Sequence, residues 1–209
     1  MSVDAQIKSL ADALDHLSPL HQFIFGLCVF ERAVPLFFEF AAESGHHGAG
    51  EVLAALASCW RYLEAEVDSK PGFVSVNECE KVAPDSEDYG AVHTPAAMDA
   101  VNIACNLLEF IQKPEKRLIE ATLNAQIDII DLFTQRLRFS GGISEDHPLM
   151  SGESSFMSEE IARMQDDLLF LADEASDRPL LAAQVARRIL DLNYRDLRII
   201  RATAGFVLS

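Results

Sequence analysis

A chain of 209 residues that is 49% hydrophobic and 24% charged has ordinary globular composition, and it is long enough to bury a substantial core. Its formal net charge of -16 argues against nucleic acid and anionic membrane surfaces as partners, because both call for a basic footprint. Cys28, Cys59, Cys79 and Cys105 form no CxxC pair, so they read as reduced, mostly core thiols rather than as ligands of a cofactor, and no cofactor is expected.

The start, MSVDAQIKSLADALD, lacks a basic segment followed by an apolar run, and the expectation is a cytoplasmic protein. Ile7, Leu10, Ala11, Leu14 and Leu17 recur at helical spacing and predict an amphipathic helix over about residues 4–16. Ser18 then caps a second helix with Pro19 in its first turn. That segment holds six of the 13 Phe residues and reads as core. Glu31 and Arg32 interrupt it well short of the roughly 20 apolar residues that a bilayer span needs, so no membrane helix is expected. Pro35 removes one helical donor and crowds the carbonyl of Glu31, which predicts a kink or restart between Glu31 and Pro35. Gly45 is the expected C-cap.

A third helix over about residues 49–66 shows an apolar stripe of Val52, Leu56, Cys59, Trp60, Leu63 and Val67, with the Trp facing inward. Pro71, Gly72, Pro84 and Gly90 mark a connection with one short helix near Val76–Val82. The stretch HTPAAMDAVNIACNLLEFIQ, His93–Gln112, then predicts a helix capped by Thr94 and apolar around most of its circumference. Only Asp99, Asn102, Asn106 and Glu109 form a polar line along it. Such a helix needs neighbours on several sides, so it is expected at the centre of the fold.

Pro114 opens the next amphipathic helix, and residues 139–157, rich in Gly and Ser, predict a mobile loop. Ser158 is the expected start of the following helix and Asp177 the cap of the last one. With no strand pattern, the reading is all-α: one domain, residues 1–209, of about seven or eight helices. The last helix gathers Arg187, Arg188, Asp191, Arg195, Arg198 and Arg201 on what reads as a solvated face. Asp196 lies on its apolar side, and Arg32 is the partner expected for it.

Chemistry is sparsely written. Asp85, Glu87 and Gly90 resemble half a calcium loop, but Tyr89 and Ala96 stand where further ligands belong. Glu39, Glu43, His46 and His47 fall at one-turn intervals, and Glu43 with His46 has the Glu-x-x-His spacing of di-iron bundles. Only one copy is present, so an exposed polar helix end is the simpler reading and these four are secondary metal candidates. No nucleophile elbow, phosphate loop or zinc-protease motif occurs.

Taken in order, ERAVP (Glu31–Pro35), the helix carrying Trp60, DYGAVHTPAAMDAV (Asp88–Val101) and the pair Thr134 and Gln135 resemble segments of the YjaG-like family of bacterial proteins, domain of unknown function 416. The matching residues are Glu31, Arg32, Pro35, Tyr89, Gly90, Pro95, Asp99 and Ala100. The resemblance implies a cytoplasmic, single-domain, all-helical protein, and it supplies no reaction, cofactor or partner. The candidate ligand-binding residues are Glu31, Arg32, Tyr89, Asp99 and Asn102. The expected role is a self-associating interaction or small-ligand-binding module. Two alternatives stand beside it: an enzyme acting on a small anionic substrate near Glu31, Arg32 and Asp99, and a metal-binding helical protein.

Overall fold

Ser18 and Gly45 bracket a helix that holds much of the core. The Ser18 hydroxyl accepts a hydrogen bond from His21 N at 3.2 Å, and Gly45 closes the other end at φ 72, a left-handed conformation that costs a residue without Cβ nothing. The structure, a computed structural model, describes residues 2–64, 74–139, 155–173 and 178–191. Among these lie eight helices and no strand: α1 (Val3–Leu14), α2 (Pro19–Ser44), α3 (Ala49–Glu64), α4 (Val76–Glu80), α5 (Thr94–Gln112), α6 (Lys116–Phe139), α7 (Ser155–Asp173) and α8 (Arg178–Asp191). No helix among the described residues is long and apolar enough to cross a membrane.

α5 is central, as its near-continuous apolar surface requires. It packs against α2, α3, α4 and α6, while α7 closes over α1, α2 and α6, and α8 over α3. The α2–α5 approach is close because Gly26 has no side chain there: a Cβ would stand 2.6 Å from Leu107 Cδ2. Phe23 lies at the same seam, 6.2 Å from the Phe110 ring and 4.7 Å from Tyr62. Leu10 and Leu14 of α1, Leu63 of α3, Ile129 of α6, Met164 of α7 and Val185 of α8 join the same buried cluster from the other helices. Burial of this kind is worth about 1.5–3 kcal/mol per large side chain, which is why helices of unremarkable propensity hold together.

Several local expectations need correcting. α2 runs through Pro35 without restarting, because packing on both sides of the proline outweighs the one missing donor. Thr94 is not the cap of α5: His93 occupies that position, and the Thr94 hydroxyl donates backward to Ala91 O at 3.0 Å and Tyr89 O at 3.3 Å. α6 begins at Lys116 rather than at Pro114, and α7 begins at Ser155, three residues before Ser158. Trp60 does face inward as expected, partly buried and packed against the core. Val67, the Gly-rich stretch 140–154, Asp177, Asp196 and the arginines beyond Asp191 lie outside the described residues.

Candidate functional site

The candidate residues separate into three places. Glu31 and Arg32, adjacent on α2, are 3% and 6% exposed. Two carboxylates of α7 meet Arg32: Nε lies 2.7 Å from Glu160 Oε1, and an Nη1–H donates to Asp167 Oδ2 at 2.7 Å. Gln126 of α6 donates to Glu160 at 3.1 Å, and Arg188 of α8 donates to the other oxygen of Asp167 at 3.1 Å. Glu31 points the other way, accepting from the Trp60 indole N–H at 2.8 Å. Arg32 is therefore matched by two carboxylates of α7, while the Asp196 expected as its partner lies outside the described residues. Arg188, placed on the solvated face by the sequence, instead turns in toward Asp167 and lies over the Phe170 ring.

Glu160 and Asp167 escaped the sequence reading because they pass for the polar face of α7. The signal was in their register. Glu160, Met164, Asp167 and Leu171 are spaced as one helical stripe, and all four are buried, so both acids stand in line with the apolar face. A carboxylate in that register demands a buried cation.

Tyr89 marks the second place, the junction between the end of α2 and the turn into α5. His46 is held through both ring nitrogens: Nε2–H donates to Val82 O at 2.9 Å, and Nδ1 accepts from the Tyr89 hydroxyl at 3.2 Å. Glu43 pairs with His93 Nδ1 at 2.8 Å, tying the C-terminal turn of α2 to the residue that caps α5. These contacts employ the secondary metal candidates structurally. Glu39 is half buried and His47 exposed, and among the described residues no group of three or more His, Cys, Asp or Glu is arranged to hold a metal ion.

Asp99 and Asn102 mark the third place, a groove of about 500 Å³ between α5 and α6. Its wall contains the whole polar line of α5 (Asp99, Asn102, Asn106, Glu109), Asn124 and Asp128 of α6, and Glu80 at the end of α4. Neither Glu31 nor Arg32 forms part of it, so the structure does not bring those two together with Asp99. Among the described residues, the lining carries four carboxylates and three amides and no cation. Partial burial pushes the Asp99 carboxyl up to about 6, with the facing Asp128 adding to the rise and a long hydrogen bond from Asn102 opposing it.

That shift has a definite sign. Its ordinary value is 3.8, so a protonated Asp99 favours the fold, and this contribution is complete below 3.8 and lost as pH rises through about 6. Asp99→Asn, which cannot ionise, is expected to stabilise the protein above pH 6 by about 1 kcal/mol, the full shift being discounted for the half-exposed carboxyl. The gain should shrink toward zero near about pH 4. Thermal melts of both proteins across pH provide the check, and a gain that is constant with pH would show that Asp99 is not the titrating group.

Fold and site together define an all-helical protein cross-braced by a buried ion network, with an acidic, amide-lined groove on its surface. The family model described as Protein of unknown function (DUF416) matches residues 9–191, and the chain belongs to that family. The crystal structure of a DUF416 family protein from Shewanella baltica OS155 is similar to it in fold: 20% sequence identity, TM-score 0.66, covering 87% of this chain and 93% of that one. No curated protein matches the chain.

Proposed function

We propose that the chain is a noncatalytic small-ligand-binding module whose α5–α6 groove takes a small protonated amine. The observation that carries this reading is the composition of the groove, four carboxylates and three amides without a cation among its described residues. Asp99 supports it further, because a carboxylate whose charged form is disfavoured by burial and by Asp128 gains most when a cation arrives. Amides at Asn102, Asn106 and Asn124 suit the N–H groups of an alkylammonium, as acceptors placed beside the charge.

Isothermal titration with putrescine, a short diamine, provides the test. Binding is expected at pH 8 and should weaken at least tenfold at pH 5, where Asp99 is protonated. It should weaken similarly in Asp99→Asn but stay unchanged in Glu43→Gln, whose carboxylate lies at the α2–α5 junction. Absence of binding at millimolar diamine, or binding indifferent to Asp99→Asn, would overturn the reading.

A further inference from the structure

Among the described residues, α7 closes over α1 without filling the space between them. A cleft of about 500 Å³ remains, and its wall includes Leu10 of α1 with Gln165, Leu168 and Leu169 of α7. His16, from the turn after α1, and His21, in the first turn of α2, add two imidazoles. Leu10 and Leu168 are buried, whereas Leu169, at 66%, is the most exposed large hydrophobic side chain among the described residues.

The cleft matches the α5–α6 groove in volume and opposes it in chemistry. Four carboxylates line the groove, but the described wall of the cleft holds none, in a chain with 33 Asp and Glu residues. Its titratable groups are the two histidines.

We propose that this cleft binds a medium-chain monocarboxylate, its aliphatic chain of about eight carbons laid between α1 and α7 and its carboxylate at His16 and His21. The site shares no residue with the α5–α6 groove, so it stands whether or not that groove takes an amine.

Length, apolarity and charge commit the cleft to that occupant. Gln165 and Ala172 bound the α7 wall and lie about 10 Å apart along the helix, the reach of an extended chain of about eight carbons. Such a chain covers Leu169 and touches Leu10 and Leu168, taking apolar surface out of water, which a polar ligand does not do. Imidazole N–H groups donate to carboxylate oxygens, and no acid in the described wall repels them. A second copy of the chain fits less well. One exposed leucine beside a concave cleft falls far short of the roughly 800 Å² per partner that a stable dimer face covers, and two chains of net charge -16 repel each other.

Equilibrium dialysis of the intact chain against radiolabelled octanoate provides the test. One molecule per chain is expected to bind with a Kd below about 1 mM. Butyrate, four methylenes shorter, should compete at least tenfold more weakly, and 1-octanol, which lacks the charged head, at least threefold more weakly. Leu169→Asp sets a carboxylate beside the ligand at an exposed position, so it should weaken octanoate binding at least tenfold while shifting the Tm by less than about 2 °C. Should that variant melt lower, Ala172→Asp, at a second exposed position of the wall, decides instead. His16→Ala should weaken binding at least threefold, and Asp99→Asn should leave it unchanged. No bound octanoate at about 5 mM, butyrate competing as well as octanoate, or binding that Leu169→Asp leaves intact would overturn the proposal. So would a dimer of the natural chain, seen by sedimentation velocity, that Leu169→Asp dissociates, because the cleft would then be a face between copies.

Discussion

Arg32→Met is expected to lower the unfolding free energy by about 3–5 kcal/mol and the Tm by roughly 6–20 °C, as measured by denaturant titration and calorimetry. The cause is not the loss of an attraction alone. Glu160 and Asp167 are 4% and 1% exposed, and removing the guanidinium leaves two carboxylates in a low-dielectric interior with less positive charge beside them. Arg188→Met should cost markedly less, since its side chain is 20% exposed and Asp167 retains Arg32. Adding Glu160→Gln and Asp167→Asn to Arg32→Met should recover part of the loss, because neutral amides do not carry the burial cost of the charges. A Tm change below about 3 °C for Arg32→Met would mean that water reaches this network in solution.

The second large effect belongs to the seam between α2 and α5. Phe110 is 1% exposed and stacks near Phe23, so Phe110→Ala is expected to cost about 3–5 kcal/mol through lost burial and the cavity left behind. Leu53→Ala, on the outer side of α3 at 48% exposure, should cost less than about 1 kcal/mol in the same titration. Equal losses at the two positions would contradict the placement of α5 at the centre.

What could be read before the structure followed the strength of the local signal. α5 was legible from end to end because Pro95 and Pro114 frame it and its polar residues form a single line. α2 was legible at both ends for equally local reasons, a serine before a proline and a glycine at the exit. Of the kink or restart expected at Pro35, the restart is absent because the proline's cost is local, a few kcal/mol at most, whereas the burial that keeps α2 continuous is spread over residues from Phe23 to Phe40. Thr94 misled by a single position, since a hydroxyl there serves the preceding turn as readily as it serves a cap.

The candidate site was less legible. Asp99 and Asn102 were found from the polar line of α5, but Asn124, Asp128 and Glu80 complete the groove only through tertiary packing. The buried charge of Arg32 announced that a carboxylate must exist without indicating which one. Finding Glu160 and Asp167 required noticing that two acids share a stripe with Met164 and Leu171.

Arg32 and Asp167 are 135 positions apart in sequence. At a synthesis rate of about 5–20 residues per second, the arginine waits roughly 7–27 s for its second carboxylate. During that interval the face of α2 bearing Arg32 cannot be sealed without stranding its charge, so the Phe-rich helix must remain partly open to water while the chain is made. The brace of the finished protein thus also sets a schedule: α7 has to arrive before the middle of α2 can dry.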